Sequence, residues 1–349
     1  MQRIPILVIT IMLLAGIAGC AADEPVVVSR EALGTVVSIT AYGEDEAAVR
    51  AAIEDAYEAM GEIEAELNVH DPDSALSAFN RSPYEARVPP AAAVEVLDAV
   101  AEAGVAAEFS PSLLAVTRLY GFEETPAVPD MDDLALAVMA ARQFGCAGEG
   151  AMGFVRLTDP DARLDPGGAL APGLDLGGAA KGLALDRARE ALRASGGVTA
   201  ALVSAGSTTV TLGIKPDGTA WRIGVEDPRE IGRVVAVFTL EGEGALSTSG
   251  DYQRYFEQGG VRYHHILDPG TGLPARGLRS LTVAGSGLSG LASDILSTAL
   301  FVRGADGAAA YAGEHGLALY LVDAEGRARE VPAPDASGPL VEQQTEPLP

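Results

Sequence analysis

Cysteine is almost absent from this 349-residue sequence, which contains only Cys20 and Cys146. Two cysteines do not form the paired framework that cross-links small secreted domains, and they do not form a cysteine-based metal site. The fold must therefore be stabilised by its core. With 48% hydrophobic residues, a chain of this length buries one large core or two modest ones.

Positive charge is also scarce. The sequence has 24 Lys and Arg residues against 49 Asp and Glu residues, which gives a formal net charge of −25 at pH 7. Because such a field repels a polyphosphate backbone, we expect no nucleic-acid partner. Any phosphate chemistry has to occur where a cation and backbone N–H groups reverse the potential locally, and Mg²⁺ is a suitable cation.

The N-terminus lacks a hydrophobic run long enough to span a bilayer. Its apolar stretch covers residues 4–17, whereas a membrane-spanning helix needs about 20 apolar residues. Arg3 before this stretch and small residues after it indicate a secretory signal. The letters IAGC at 17–20 resemble a bacterial lipobox, in which the cysteine becomes the acylated first residue. The alternative is an ordinary cleaved signal with an incidental cysteine.

These features predict how the chain is organised. We expect a signal peptide over 1–19, lipidation at Cys20, a tether over 20–28 and a single folded domain over 29–330. The last segment, 331–349, is rich in proline and lacks the apolar periodicity of a packed element, which predicts a disordered tail.

Hydrophobic periodicity gives the fold class. Apolar residues alternate like a strand over 34–42, and they recur at spacings of three and four from Val49 to Leu67, as in an amphipathic helix. Further helices are predicted over 91–107, 131–143 and 288–302 and from 177–182 onwards, with strands over 199–212, 221–225, 234–240, 263–267, 278–283 and 318–322. Because these elements mix without a regular βαβ repeat, the predicted class is α+β, with mixed or antiparallel sheets flanked by helices.

The most informative segment is LDLGGAAKGLALD at 174–186, where a short apolar strand meets small residues at the start of a helix. Small residues let a backbone approach phosphate closely, and a helix N-terminus offers unpaired N–H groups. The Gly-Lys-Ser/Thr ending of a Walker A loop is absent. Taken alone, the segment is also compatible with a simple tight connection.

A second candidate is the pair Asp294 and Thr298, which stand four apart on a predicted helix and so share a face. Both offer hard oxygen atoms of the kind that Mg²⁺ prefers. In the alternative interpretation, Asp294 favours the positive end of the helix and Thr298 bonds back to the backbone.

The segment YHHILDPGTGLP at 263–274 runs from a strand into a turn and holds two of the four histidines. His265 titrates near neutral pH and is a candidate proton acceptor, with Asp268 as a carboxylate nearby in sequence. A structural role for His265 and a turn-capping role for Asp268 are the alternatives. The hydroxyl-rich segment STSGDY at 247–252 indicates only a loop or cap.

In this order, the segments resemble the ApbE family, the FAD:protein FMN transferases. The specific matches are the segments at 174–186, 247–252, 265–274 and 293–300, and the weaker ones are those at 33–35, 71–80 and 221–228. The resemblance extends from Leu33 to Val322. It implies an enzyme that binds FAD and Mg²⁺, in which a Thr or Ser hydroxyl of an acceptor protein attacks the FMN phosphorus and AMP leaves.

The resemblance also implies roles for particular residues. It assigns the metal to the side chains of Asp294 and Thr298 and the backbone carbonyl of Ala180. It assigns catalysis to His265, with Asp268 as the competing base. The positions implied to bind the cofactor are Leu33, His70, Ser110, Ser112, Gly177, Lys181, Leu183, His265 and Ile266.

Four ligand-facing segments depart from the family pattern. Leu33 replaces a methionine, His70 replaces an aromatic residue, and Phe109–Ser110–Pro111–Ser112 replaces Phe-Asp-Pro-Thr. The segment 204–208, SAGST, stands where the family has Asn…Gly-Gly-Asp. Two other functions therefore remain open, namely an Mg²⁺-dependent FAD pyrophosphatase and a non-catalytic flavin-binding lipoprotein. In each case Cys20 and the family predict export and anchoring at the outer face of the cytoplasmic membrane.

Overall fold

The protein is represented by a computed structural model that describes residues 24–122, 124–148, 151–154, 170–334 and 340–343. The predicted signal peptide and Cys20 lie outside these residues. Within the described ranges, no helix has both the length and the apolar character needed to cross a membrane.

An eight-stranded antiparallel sheet forms the centre of the fold. In the order in which they pair across the sheet, its strands are β1 (Val26–Ala32), β2 (Thr35–Tyr42), β5 (Ala200–Ala205), β6 (Thr208–Leu212), β9 (Gly244–Gly250), β12 (Leu278–Ser286), β13 (Ala318–Asp323) and β14 (Ala328–Val331). Alternate side chains bury on opposite faces, as strand geometry requires: on β13, Leu319 and Leu321 join one hydrophobic cluster, whereas Tyr320 joins another.

Helices cover one face of this sheet and enclose the main core. They are α1 (Glu46–Leu67), α2 (Ala75–Asn80), α3 (Ala91–Glu102), α6 (Ala180–Ala194), α7 (Gly290–Arg303) and α8 (Ala305–His315). Helix α1 buries the predicted apolar stripe, from Val49 to Leu67, and Asp45 caps its N-terminus by accepting from the N–H groups of Ala47 and Ala48. Helix α7 carries buried polar residues as well as apolar ones, because its polar side faces the sheet.

A three-stranded sheet covers the opposite face, with strands β7 (Trp221–Glu226), β8 (Val234–Leu240) and β15 (Leu340–Gln343) in the order β15-β8-β7. Trp221 and Phe238 are among the side chains it buries against the large sheet. Strand β15 lies within the segment predicted to be a disordered tail, and its four residues pair with the edge of β8.

A smaller cluster beside the helical layer consists of α4 (Leu114–Tyr120), α5 (Met131–Gln143) and the hairpin β10 (Tyr255–Gln258)–β11 (Val261–His264). A further hairpin, β3 (Phe144–Gly148)–β4 (Ala151–Phe154), follows α5. The segment after β11 packs closely on α5. A β-carbon added at Gly272 would lie only 2.7 Å from the side chain of Val138 and 2.8 Å from that of Leu134.

The predicted α+β class is confirmed, with differences in detail. The strand predicted over 199–212 is two strands, β5 and β6, separated by a tight turn in which Gly206 has a φ of +59°. Strand β1, which begins at Val26, occupies part of the predicted tether. Two short helices, α2 and α4, went unpredicted because fewer than two turns give little periodicity.

Candidate active site

Helices α6 and α7 touch through their backbones. A β-carbon at Gly182 would lie 2.2 Å from the carbonyl oxygen of Gly290, and one at Gly290 would lie 2.5 Å from that of Gly182. Real contacts of this kind do not fall below about 3 Å, so only glycine fits at either position. The carboxylate of Asp186 fixes the crossing, since it accepts from the N–H groups of Gly290 at 2.8 Å and Leu291 at 2.9 Å.

This crossing places Asp294 against the N-terminal turn of α6. Its carboxylate accepts from the N–H of Gly182 at 3.0 Å and from the hydroxyl of Thr208 at 3.2 Å. The Nζ of Lys181 lies 4.0 Å away. Burial raises the pKa of Asp294, and the charge of Lys181 opposes that rise. The site thus holds a buried carboxylate whose cationic neighbour is at the limit of ion-pair distance.

Thr298 lies one turn further along α7 and is directed at the same glycine-rich segment. A β-carbon at Gly178 would lie 3.6 Å from its hydroxyl oxygen, and the hydroxyl of Ser249 lies 3.2 Å from it. The structure therefore brings Asp294 and Thr298 close to the start of α6, which lies more than a hundred residues earlier in the sequence.

Asp294 and Thr298 present oxygen donors beside the start of α6, of the kind that suits Mg²⁺, and the family resemblance predicts the main-chain carbonyl of Ala180 as a third. In the described part of the chain, no group of three His, Cys, Asp or Glu side chains is placed to hold a metal. A cation here would be held by one carboxylate and would complete its coordination with water and ligand phosphate, which is how Mg²⁺ commonly binds. It would also favour the ionised form of Asp294, which burial disfavours.

The glycine-rich turn is held open towards solvent. Asp175 accepts from the N–H of Gly177 at 3.1 Å and from the hydroxyl of Thr117 at 2.9 Å. Gly178 packs near the ring of Phe109, where a β-carbon would lie 3.1 Å away. Of the N–H groups in the first turn of α6, that of Gly182 donates to Asp294 and that of Ala180 donates to the carbonyl of Leu176. Lys181 and the partial positive charge that remains at this helix end lie beside the exposed Gly177.

His265 lies at the end of β11, and its ring orientation is defined. Its backbone N–H donates to the carbonyl of Arg254 at 3.1 Å, and its ring Nδ1 lies 3.3 Å from the same oxygen. Because a carbonyl only accepts, Nδ1 carries the hydrogen and Nε2 is left as a proton acceptor. Burial, followed by the charge of Arg254, lowers the pKa of His265 to about 3, so the ring is neutral at pH 7.

Asp268 is bound within its own turn. Its carboxylate accepts from the N–H of Gly270 at 2.7 Å, and its backbone carbonyl accepts from Gly272 at 2.7 Å. This is the turn-capping arrangement that the sequence left open. The carboxylate orders the loop after His265, whereas the ring itself is oriented by Arg254.

The remaining positions predicted to bind the cofactor differ in how exposed their side chains are. Leu33 is the only non-glycine residue with a positive φ, +53°, among the described residues, and its N–H donates to Glu64 at 3.1 Å. His70 is exposed, and Ser112 donates to the carbonyl of Phe144 at 3.3 Å. Ser110 is half-buried beside Phe109 and accepts from the N–H of Ser112 at 3.4 Å.

Two of the predicted positions lie in the main core. Leu183 is fully buried, and Ile266 is 3% exposed. Their side chains pack α6 and the loop after β11 in place, and their contact with a cofactor stays a prediction.

Two polar residues around Asp294, Ser247 and Ser249, belong to the hydroxyl-rich segment that the sequence indicated only as a loop or cap, whereas the structure places them on strand β9. Ser247 lies 3.3 Å from the hydroxyl of Thr208 and 2.8 Å from that of Ser293, and Ser249 lies 2.9 Å from that of Ser297. The alternation of Ser247 and Ser249 along β9 was the available signal, because residues two apart on a strand face the same way.

A buried carboxylate beside a glycine-rich helix N-terminus, together with a neutral histidine, is an arrangement suited to binding a phosphorylated ligand. The chain belongs to the ApbE family, whose model matches residues 33–321. The resemblance noted in the sequence is thereby confirmed.

Individual relatives agree with this. The FAD:protein FMN transferase of Treponema pallidum is 32% identical over 295 residues, which make up 78% of this chain and 77% of the relative. That of Rhodobacter capsulatus is 46% identical over 131 residues, 38% of this chain but only 24% of the longer relative. The crystal structure of the ApbE protein from Thermotoga maritima has a TM-score of 0.74 at 29% identity and covers 88% of this chain and 97% of its own.

Proposed function

We propose that the protein is an Mg²⁺-dependent FAD:protein FMN transferase. The oxygen of an acceptor Thr or Ser hydroxyl forms a bond to the FMN phosphorus of FAD. The bond from that phosphorus to the bridging oxygen breaks, and AMP departs with that oxygen. The observation that carries the proposal is the buried Asp294, which with Thr298 faces the glycine-rich N-terminus of α6. The names of the relatives support the choice of FAD and of a protein acceptor.

The start of α6 is suited to hold the pyrophosphate. The formal charge of the whole chain is −25, so an anionic ligand needs a local reversal of the potential. Lys181 and the N-terminus of α6 supply it. Held by Asp294, Thr298 and the carbonyl of Ala180, Mg²⁺ would offset the negative charge that gathers on the departing AMP phosphate.

His265 is suited to accept the proton of the attacking hydroxyl. Its Nε2 is unprotonated at pH 7, because Nδ1 donates to the carbonyl of Arg254. With a pKa of about 3 the free ring is a weak base. A bound pyrophosphate would raise that pKa, since its negative charge counters that of Arg254 and Lys181, two causes of the depression. The competing base Asp268 is committed to its turn.

The alternatives are separated by one assay. The soluble chain from residue 21 is incubated with FAD and Mg²⁺, with and without a candidate acceptor. AMP formed only with acceptor, together with covalent flavin fluorescence, supports the transferase. AMP formed without acceptor indicates an FAD pyrophosphatase. If no AMP forms in either case, both enzymatic hypotheses are wrong and a non-catalytic flavin-binding protein is left.

We also propose that the mature protein is anchored through acylated Cys20 at the outer face of the cytoplasmic membrane. Five residues lie between Cys20 and the start of β1 at Val26. At about 3.5 Å per residue they span at most about 18 Å, so the anchor would hold the start of β1 near the bilayer. Incorporation of labelled fatty acid that is lost in Cys20→Ala tests this, and labelling that persists in the variant would refute it.

A further inference from the structure

We infer that Asp251 is a positioning residue for His265. It anchors the β10–β11 hairpin, which carries the carbonyl group that orients the histidine ring. This inference rests on the proposed function only for the catalytic consequence. The sequence indicated no more than a loop or cap at Asp251, and the mechanism above does not use it.

Asp251 is a nearly buried carboxylate at the end of β9, with 8% exposure. Its backbone N–H donates to the carbonyl of Arg279 at 2.9 Å, which fixes it to the start of β12. Its two carboxylate oxygens accept from the guanidinium of Arg229 at 2.7 and 2.6 Å. A bidentate pair of this geometry is among the stronger side-chain contacts, and it defines the direction of the carboxylate.

A second arginine reaches the same carboxylate from the hairpin. The Nη1 of Arg262, on β11, lies 3.6 Å from Oδ1 of Asp251. The guanidinium of Arg262 also covers the ring of Tyr255, on β10, at 4.0 Å from its centroid. The carboxylate of Asp251 therefore contacts the hairpin through Arg262 of β11, and Arg262 in turn contacts Tyr255 and Glu257 of β10.

The hairpin in turn determines where His265 points. Tyr255 pairs with His264 in the β10–β11 register, so Arg254 and His265 stand opposite each other where the ladder ends. The carbonyl of Arg254 accepts from both the backbone N–H and the ring of His265. A shift of β10 moves this oxygen, and the ring loses the partner that keeps hydrogen on Nδ1 and Nε2 unprotonated.

The opposite side of the loop is fixed independently of Asp251. The Nε2 of His264 lies 2.9 Å from the carbonyl of Ala275, and its ring packs edge-on against Phe301 of α7 at 5.7 Å. Loss of the Asp251 carboxylate removes the link between the hairpin and Arg229, so the segment that leads into β10 can shift while His264 keeps the end of β11 attached to the core. We expect a misoriented His265 in a folded protein, because the α7 contact persists.

The test compares Asp251→Asn with Asp323→Asn. Asp323 is a matched control, because it also ends a strand of the large sheet and pairs with an arginine, Arg327, while accepting backbone N–H groups. With only four histidines in the chain, the ¹⁵N ring signals of His265 can be assigned from a His265→Gln variant. Tautomer state is read in the protein without substrate.

In the wild type and in Asp323→Asn we expect a single His265 tautomer with hydrogen on Nδ1. In Asp251→Asn we expect a mixture of tautomers. Turnover of FAD should fall about 10- to 100-fold, as for an active group displaced by about 1 Å, with KM for FAD changed less than about twofold. Asp251→Glu, which restores the charge, should recover part of the loss.

An unchanged His265 tautomer in folded Asp251→Asn would overturn the inference. So would an equal loss of turnover in Asp323→Asn, because it would mean that the loss of any such ion pair has the same effect. If the wild type releases no AMP, the proposed function fails, whereas the tautomer measurement still decides the role of Asp251. Should Asp251→Asn fail to fold, Arg262→Gln removes the same link from the hairpin side and is judged by the same outcomes.

Discussion

The contact between α6 and α7 makes Gly182→Ala a severe perturbation from a single methyl group. The added carbon would lie 2.2 Å from the carbonyl oxygen of Gly290 and 2.8 Å from the β-carbon of Asp294. Non-bonded heavy atoms pack best at about 3.5 to 4.0 Å. Since both neighbours belong to α7, and one is backbone, no side-chain rotation relieves the clash. Helix α7 has to move away by more than about 1 Å.

That movement acts on the site directly. The N–H of Gly182 donates to Asp294 at 3.0 Å, and a shift of more than about 1 Å exceeds the range of a hydrogen bond. Overpacking of this kind costs about 1 to 3 kcal/mol of unfolding free energy. Misplacement of a reacting group by about 1 Å costs about 100-fold in rate. We therefore expect both losses in Gly182→Ala, measured by urea denaturation and by AMP release from FAD.

Gly61→Ala is the control. Gly61 is also inside a helix, α1, but a β-carbon there meets nothing within 4 Å. Alanine should stabilise the protein at this position by about 0.4 to 1 kcal/mol and leave turnover unchanged. The reasoning would be refuted if Gly182→Ala matched Gly61→Ala in stability and turnover.

Three further predictions follow from buried polar groups. Asp294→Ala should abolish Mg²⁺-dependent AMP release in a chain that still folds, and unchanged release would refute the metal assignment. Asp186→Leu should lower the free energy of unfolding by about 1 to 3 kcal/mol, measured by urea denaturation, because two N–H groups of α7 lose their acceptor. Gly61→Ser, at an uncrowded helix position, is the comparison; a smaller loss in Asp186→Leu than in Gly61→Ser would contradict this prediction. Burial lowers the pKa of His264 below 6.5, so the unfolded chain binds more protons on acidification. Unfolding free energy should therefore fall below pH 6.5, by at most about 1.4 kcal/mol per pH unit for this group, and the fall should be shallower in His264→Gln.

Local patterns in the sequence predicted much of the helical layer. The stripe from Val49 to Leu67 predicted α1, because a long amphipathic helix repeats its signal many times. The spacing of Asp294 and Thr298 placed them on one face of α7, and the structure directs that face at the glycine-rich turn. These were inferences within one element, where geometry follows from residue spacing.

Contacts between distant elements could not be predicted in the same way. Asp186 and Gly290 are 104 residues apart, and neither residue type indicates the other. The pairing of Asp251 with Arg229 likewise depends on how two sheets are stacked. Leu183 shows the same limit, because its place in a motif predicts ligand contact, whereas its complete burial depends on how α6 packs in the core.

The two halves of the site are built on different hydrophobic clusters. Asp294 and the start of α6 belong to the main core, whereas the hairpin before His265 packs with α4 and α5 in the smaller cluster. For a hydroxyl to attack phosphorus, the anion site and the proton acceptor must be positioned relative to each other to within a fraction of an ångström. Polar links at the boundary supply that positioning: His264 is held against Phe301 of α7, and Asp251 joins the hairpin to β9 and β12. Because Asp251 belongs to neither hydrophobic cluster, removal of its carboxylate should reduce turnover more than stability.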